Sequence, residues 1–228
     1  MIAAGLTAIG IVAAVAASAA DLPVKAPPLI VPYSWTGCYV GGSFGSLFAE
    51  RNWRSAPGDL LIAEMEPTDL TLGIQGGCNY QISSWVLGVQ GDYGWTNATG
   101  TGPDQLIGGF TDRVKIDSIS SATARLGYAI DRFLVYWKAG GAWTHAKYDV
   151  LDPTFAVFSS ASESRSGWTA GGGFEYAIAG GLSMFIEYDW YDFGTRAITF
   201  TNPATPLTNI RERDSVVKVG ANWKFGWW

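Results

Sequence analysis

Charged residues are scarce in this sequence, and so are the residues that most often build catalytic and metal sites. Lys, Arg, Asp and Glu make up 15% of the 228 residues, below the roughly 25% of an average soluble domain. One histidine and two cysteines are present, which is too few for a disulfide scaffold. The net charge of −5 argues against a nucleic-acid partner. The chain is rich instead in glycine, with 29 residues, and in aromatic residues, at 14%.

Residues 1–19 predict a signal peptide. They form an apolar run of mostly small residues, and Ala17 and Ala19 fit an A-x-A site, so we expect cleavage after Ala19. A transmembrane anchor helix is the alternative, since about 20 apolar residues can span a bilayer. The small residues and the cleavage site favour removal. Residues 20–34 contain four prolines and predict an extended tether, and residues 35–228 predict one domain.

Eight segments with alternating apolar and polar residues follow the tether, and none has convincing helical periodicity. These segments are 35–48, 69–80, 84–97, 113–129, 132–147, 166–179, 182–193 and 212–227. Four connections are long and polar, at 49–68, 98–112, 148–165 and 194–211, and three are tight, at 81–83, 130–131 and 180–181. The regular change between long and tight connections predicts an all-β fold, an eight-stranded antiparallel up-and-down β-barrel.

Each segment divides its residues between two faces. In the stretch FIEYDWYDF, Ile186, Tyr188 and Trp190 share one face, and Glu187 and Asp189 share the other. The apolar face collects Trp85, Leu87, Val89, Val135, Trp137, Trp168, Ile186, Tyr188, Trp190, Val219, Trp223 and Phe225. The polar face carries charges of both signs in equal number: Asp92, Asp117, Glu175, Glu187, Asp189, Lys115, Arg125, Lys138, Lys218 and Lys224.

These faces fit either a soluble barrel with its apolar side chains inside or a transmembrane barrel with the order reversed. The transmembrane arrangement is favoured because eight strands cannot enclose so many bulky rings. The polar face is also rich in small residues, whereas soluble surfaces carry more Lys and Glu. Its charges balance, as ions buried in a lumen require. We therefore predict that the apolar face contacts lipid and that the charges form a network in the lumen.

Several motifs resemble those of small outer-membrane β-barrel proteins of alpha-proteobacteria, the OmpA-like, opacity-type and RopB-like surface proteins. The motifs are WTGCYVGGSFG (35–45), GGCNYQ (76–81), GVQGDYGW (88–95), ARLGYA (124–129), GWTAGGGFEYAI (167–178), EYDWYDFG (187–194) and VKVGANWKFGW (217–227). The resemblance covers nearly the whole chain. It implies an outer-membrane barrel, export by the general secretion route, and a periplasmic location for the tether.

The resemblance also implies partners. These are the lipid and lipopolysaccharide of the outer membrane, and the barrel-assembly machinery during insertion. No cofactor is expected. The last strand resembles the signal that this machinery reads, an alternating strand that ends in an aromatic residue. Trp227 keeps the lipid-facing register of Phe225, whereas Trp228 does not.

Cys38 and Cys78 stand at positions where the resemblance leads us to expect aromatic residues. Both lie near the tight-turn ends of the first two strands. They could form a disulfide, because exported compartments are oxidising, or remain isolated thiols that act as small apolar residues. Isolated thiols are favoured, because a bridge requires Cα atoms within about 7 Å and the strand register is uncertain from sequence.

The sequence allows two main functions. The first is a structural surface protein that contributes to envelope integrity and displays four extracellular loops. The second is a small porin-like diffusion channel. The channel ranks lower because eight strands leave a lumen that side chains just fill, and charges across it would block bulk water.

Catalytic chemistry is a remote third possibility. A lipid-modifying enzyme at the rim could use His145 with Ser159 or Ser164, but no nucleophile motif accompanies the histidine. Glu187 and Asp189 could form an acid–base couple or a cation site. Neutralisation of Lys and Arg across the lumen explains these two residues better. We therefore predict no enzyme, no catalytic residue and no metal site.

Overall fold

The computed structural model describes residues 33–55, 60–105, 108–202 and 208–225, and these form ten antiparallel β-strands. The strands are β1 (Gly37–Ser55), β2 (Leu61–Met65), β3 (Thr68–Ile82), β4 (Trp85–Thr96), β5 (Thr99–Pro103), β6 (Thr111–Ile130), β7 (Phe133–Leu151), β8 (Val157–Ala179), β9 (Leu182–Ile198) and β10 (Thr208–Phe225). The predicted signal peptide and most of the tether lie outside the described residues, as do Trp227 and Trp228. Among the described residues, no helix is long and apolar enough to cross a membrane.

Eight of these strands close into a ring. Neighbours pair in the order β1, β3, β4, β6, β7, β8, β9 and β10, and β10 pairs with β1 along its whole length. Following paired residues once around the ring from Cys38 leads back to β1 at Phe48, ten residues further along. A stagger of this size in eight strands corresponds to a strand tilt of about 40°. The predicted all-β antiparallel barrel is therefore confirmed.

The other two strands, β2 and β5, form inside segments predicted to be loops. β2 pairs with β1 at the long-connection end of the barrel, which is called the upper end below, and β5 pairs with β6. The ring strands other than β4 also extend further into the long connections than predicted, and β8 reaches 23 residues. A tilted strand needs only about 9–11 residues to cross the hydrocarbon of a membrane. The barrel therefore continues well beyond the predicted spanning region at its long-connection end.

The tight turns lie together at the opposite end. The backbone has positive φ at Ser83, Asp131, Gly180 and Gly181, as two-residue hairpin turns require. Trp35, which the sequence assigned to the first strand, lies just before β1 and closes this end of the lumen. Its indole is 2% exposed and its Nε1 donates to the Asp131 carbonyl oxygen at 3.1 Å.

Cys38 and Cys78 form a disulfide on the outer face of the barrel. They are directly opposite each other on β1 and β3, with Cα atoms 3.9 Å apart. The preference for isolated thiols was therefore wrong. The register of β1 against β3 places the two cysteines opposite each other. The sequence left this register uncertain, and so it could not predict the disulfide.

Candidate functional site: the ion network in the lumen

Seven of the charged residues predicted to face the lumen come together in its middle. All seven side chains are buried, and they belong to six different strands. They are Asp92, Arg125, Lys138, Glu175, Glu187, Asp189 and Lys218. The strand alternation that defines the inner face of the barrel positions each of them.

Two lysines share three carboxylates at the centre of this network. The Lys138 Nζ lies 2.8 Å from Glu187, 3.1 Å from Asp189 and 3.2 Å from Asp92. The Lys218 Nζ lies 2.7, 3.1 and 2.8 Å from the same three side chains. Each ammonium group thus has three anionic neighbours, which offsets the cost of removing its charge from water.

Arg125 and Glu175 form a second ion pair nearer the tight turns, at 2.5 Å. Arg125 also donates to the Tyr39 hydroxyl at 2.9 Å, and Ser183 donates to Glu175 at 2.5 Å. Tyr136 joins this pair to the central group, because the Arg125 guanidinium lies 3.5 Å from its ring centroid. The Tyr136 hydroxyl donates to Glu187 at 2.7 Å. The two ion clusters therefore form one connected network across the lumen.

Glycines on the inner face provide the space for these side chains. A Cβ on Gly171 would collide with the Asp189 carboxylate, and a Cβ on Gly173 would lie 2.8 Å from the Tyr136 hydroxyl. The run GGGFEY is therefore glycine-rich because its inward positions face large polar groups from neighbouring strands.

Lys115 and Asp117 do not face the lumen, and this corrects their predicted placement. A β-bulge in β6 between Ile116 and Ser118 shifts the alternation, so both side chains emerge on the outer wall. There Asp117 pairs with Lys115 at 3.6 Å and with Lys147 at 3.2 Å.

Lys224 also stands apart from the network. It lies at the tight-turn end of β10, where its Nζ donates to the Ser34 carbonyl oxygen and sits 4.3 Å from the Tyr33 ring centroid. Its position at the mouth of the lumen keeps it away from the central carboxylates. Tyr33 and Ser34 belong to the predicted tether, so the last two tether residues contact the barrel.

The residues predicted to contact lipid all lie on the outer wall. Side chains that are about half exposed there include Trp85, Leu87, Val89, Trp137, Trp168, Ile186, Tyr188, Trp223 and Phe225. Three others on the same face are partly covered by neighbours: Val135, Trp190 and Val219. Together they form a belt of exposed aliphatic and aromatic residues. Charged side chains appear on the outer wall only above this belt among the described strand residues, as Glu50 and Lys147 illustrate.

Another buried ion cluster, separate from this network, fills the lumen above the belt, and the sequence interpretation missed it. Arg51 pairs with Asp214 and lies 3.7 Å from Glu212. Arg165 lies 3.4 Å from Glu212, which also accepts a hydrogen bond from Tyr148. The signal was the inward alternation of residues 47, 49, 51 and 53, which continues into a segment read as a loop. Apolar side chains surround this cluster, including Trp53, Phe200 and Ile210.

Asp112 is a buried carboxyl group in the same upper region, near the start of β6. Burial raises its pKa to about 7, and the Asp104 carboxylate acts in the same direction. Its Oδ2 atom has no hydrogen-bond partner among the described residues. Asp112 therefore gains its charge near neutral pH.

His145 lies on the outer wall beside two serines. Its Nδ1 is 3.0 Å from the Ser164 hydroxyl and its Nε2 is 3.4 Å from the Ser162 hydroxyl. Ser159, the other serine considered from the sequence, is buried and bonds to the Asn202 backbone. Within the described part of the chain, no group of three His, Cys, Asp or Glu residues is arranged to hold a metal ion.

Comparisons with known proteins agree with this geometry. Residues 6–225 match the family model described as outer membrane protein beta-barrel domain. The chain is 29% identical to the 31 kDa outer-membrane immunogenic protein of Brucella melitensis, over 96% of this chain and 98% of that protein. It is 28% identical to the 25 kDa outer-membrane immunogenic protein of Brucella abortus, over 89% and 85% of the two chains.

Solved structures show the same fold. OprG from Pseudomonas aeruginosa superposes with a TM-score of 0.63 at 14% identity, covering 84% of this chain and 97% of OprG. The outer membrane protease OmpT from Escherichia coli has a TM-score of 0.52 at 8% identity, covering 86% of this chain and 99% of OmpT. At these identities the likeness concerns the fold alone.

Proposed function

Because this chain belongs to the outer membrane protein beta-barrel family, we propose that it is a closed structural barrel. It would anchor in the outer membrane through its apolar belt, support the envelope, and display the connections at its long-connection end on the cell surface. The relatives in Brucella are named as outer-membrane immunogenic proteins, which fits a protein with exposed surface segments. Export by a cleaved signal peptide and insertion by the barrel-assembly machinery belong to the same proposal.

The observation that carries this proposal is that side chains obstruct the lumen at three heights. Trp35 packs against Leu134 and Tyr136 at the tight-turn end. The two lysines and three carboxylates cross the middle. Arg51 and its partners lie above, among apolar residues. A solute would have to break buried ion pairs at two of these levels, and leaving one partner of such a pair buried and unpaired costs about 3–5 kcal/mol.

Free space near the central network is small. The cavity lined by Ser43, Thr71, Asp92 and Lys218 has a volume of about 20 Å³. This is room for about one water molecule. This cavity is too small for a hydrated solute, and we therefore rank the porin-like channel below the structural role.

Planar bilayer recordings test this proposal. The purified protein should insert without producing stable single-channel currents at neutral pH. The Glu187→Gln variant should open no defined conductance either, because Asp189 and Asp92 still hold the two lysines. A stable unitary conductance in the native protein that changes in Glu187→Gln would establish the channel instead.

We also propose that the protein is not an enzyme. Both ring nitrogens of His145 face serine hydroxyls, and no carboxylate of the described residues orients the imidazole as in a catalytic triad. The backbone amides beside it take part in the pairing of β7 with β6 and β8, which leaves no evident pair of donors for an oxyanion. Lipid A from cells carrying the native protein and the His145→Ala variant should have the same acyl and phosphate composition.

A further inference from the structure

We propose that the bridge between Cys38 and Cys78 is made before the barrel enters the membrane, and that it sets the register of β1 against β3 during insertion. The reaction partner is a disulfide donor in the compartment that receives the exported chain. The inference rests on the proposed contact between the apolar belt and lipid. It does not depend on whether the lumen conducts.

The first observation is that the bridge faces outward within the apolar belt. Cys38 and Cys78 line a shallow groove on the outer wall together with Val40, Val89 and Phe225. These three neighbours are each at least half exposed, as side chains of the belt are. The described residues that line the groove include no charged side chain. The two sulfur atoms therefore lie against lipid rather than in the lumen.

The depth of the bridge separates it from the water at the tight-turn end. Tyr80 and Ile82 follow Cys78 on the outer face of β3, and the tight turn begins at Ser83. Both side chains are more than half exposed on the outer wall. The four residues from Cys78 to Ile82 correspond to roughly 10 Å along the axis of a barrel with tilted strands. A water-soluble protein at the membrane surface would therefore not reach the sulfur atoms.

The chemistry of the bridge requires a charged group that this position disfavours. Thiol–disulfide exchange proceeds by attack of a thiolate on a disulfide sulfur. A thiolate is an anion, and moving an unpaired anion from water into hydrocarbon is strongly unfavourable. Exchange should therefore neither form nor reduce the bridge at a useful rate in the inserted barrel. Because the exported chain first meets an oxidising compartment, the bridge forms there, on the chain that has not yet inserted.

The reaction transfers two electrons from the cysteines to the donor. The thiolate of one cysteine attacks the donor disulfide, forms a mixed disulfide and releases one donor thiolate. The thiolate of the other cysteine then attacks the cysteine sulfur of this mixed disulfide, which closes the bridge and releases the second donor thiolate. Two cysteine thiols are thus oxidised to one disulfide. The donor disulfide is reduced to two thiols, which take up the two protons.

The second observation is the glycine content of the two bridged strands. Six glycines lie in the pairing of β1 with β3 above the bridge: Gly41, Gly42, Gly45, Gly73, Gly76 and Gly77. Glycine-rich strands specify their register weakly, and a slip of one residue turns every side chain to the opposite face. A covalent bond between directly opposite residues removes this freedom.

An error in this register would affect both the lumen and the closure of the ring. Tyr39, next to Cys38, faces the lumen and its hydroxyl donates to Gln90 at 2.5 Å. A slip of one residue would turn this polar contact toward lipid. β1 also pairs with β10 along its whole length to close the barrel. The bridge therefore fixes the position of a strand on which closure depends.

The order of the two events tests the proposal in cells that make the full chain. Newly made chains are quenched with acid and alkylated at successive times. An unheated gel separates the folded barrel, which resists detergent, from the chain that has not inserted. The uninserted chain should already carry the bridge. Uninserted chains with two alkylated cysteines, followed by bridging only after the folded barrel has appeared, would overturn the proposal.

The same measurement distinguishes two sources of the donor disulfide. Loss of bridging in cells that lack their exported thiol oxidase would identify a protein donor. Bridging of the uninserted chain that persists in those cells would identify a small-molecule disulfide. Both results support exchange before insertion.

Protection of the bridge by lipid is tested with the purified protein in bilayer discs. Dithiothreitol should reduce the bridge at least about tenfold more slowly in discs than in the urea-unfolded chain. The matched control is Lys147→Cys in a Cys38→Ala/Cys78→Ala chain, carried as a mixed disulfide with glutathione. Lys147 is 53% exposed above the belt, so reduction of this mixed disulfide should differ by less than about twofold between discs and urea. Reduction of the native bridge in the folded barrel at the unfolded rate would overturn the proposal.

Insertion rates test the role of the bridge in setting the register. Oxidised and reduced native chains, unfolded in urea, are diluted into lipid vesicles, and unheated gels follow the folded barrel. The oxidised chain should insert at least about threefold faster, since its β1–β3 register is already fixed. The Cys38→Ala/Cys78→Ala variant should insert at the rate of the reduced chain. Equal rates for the oxidised and reduced native chains would overturn the role in register.

Discussion

Lys218 and Glu187 are direct cross-strand partners inside the barrel, and the Lys218 Nζ lies 2.7 Å from the Glu187 carboxylate. The same ammonium group reaches Asp92 and Asp189, and Lys138 meets the same three acids. Three anions around two cations leave the group with one carboxylate in excess. Removing a lysine should therefore lower the free energy of unfolding by a different amount than removing a carboxylate.

Replacing Lys218 with Met should destabilise the barrel by about 3–5 kcal/mol, because it leaves three buried carboxylates around one ammonium group. Asp92→Asn should cost clearly less, since both lysines keep Glu187 and Asp189. Urea unfolding of the two variants in lipid vesicles measures the difference. Equal costs, or a larger cost for Asp92→Asn, would contradict the geometry of this network.

The stability cost of a charge on the outer wall should depend on the position of the charge along the barrel axis. Val89 is 61% exposed in the apolar belt, and Val89→Arg should reduce the unfolding free energy by about 2–4 kcal/mol in a bilayer. Asn97 lies on the same face of the chain beyond Trp95, and Asn97→Arg should cost about 0–1 kcal/mol. Similar losses at both positions in vesicle unfolding would show that the belt is misplaced.

The disulfide between Cys38 and Cys78 should stabilise the barrel by closing a covalent loop between β1 and β3. Removing it in a Cys38→Ala/Cys78→Ala variant should lower the unfolding free energy by about 2–4 kcal/mol. Mass spectrometry after alkylation without reductant should find no labelled cysteine in the native protein. Two alkylated cysteines per chain in freshly isolated membranes would contradict the bridge.

Asp112 should make the stability of the upper end of the barrel depend on pH. Its folded-state pKa of about 7 lies above the ordinary value of a carboxyl group, so the folded state holds its proton more tightly than the unfolded state. The stability that this proton provides is complete below about pH 4 and is lost as the pH rises toward 7. Hydrogen exchange at β5 and β6 should accordingly be faster at pH 8 than at pH 5, beyond its intrinsic pH dependence.

Asp112→Asn provides the control for this effect. Its side chain cannot ionise, so protection of the same amides should no longer change between pH 5 and pH 8. A pH dependence that is unchanged in Asp112→Asn would assign the effect to another group.

The sequence predicted the ring strands, their tight turns and the face that carries Ile186 because a period of two and turn composition are local signals. It misplaced Lys115 because a bulge reverses every side chain beyond it, and bulges follow from pairing between strands. The Arg51–Asp214 pair was missed for another reason. Asp214 falls in the predicted segment 212–227, but Arg51 falls in the predicted connection 49–68, where polar residues occupy both faces of β1.

The central claim is that apolar residues face lipid and ionised residues face the lumen, and spin-label accessibility along β4 tests it most directly. Single cysteines placed at residues 86–92, with the native disulfide intact, are labelled in vesicles and exposed to oxygen and to a water-soluble nickel chelate. Labels at Leu87, Val89 and Gly91 should show high collision rates with oxygen, and labels at Val86, Gln90 and Asp92 should show low rates with both reagents. High nickel accessibility at Gln90 and Asp92, with protected labels at Leu87 and Val89, would contradict the claim.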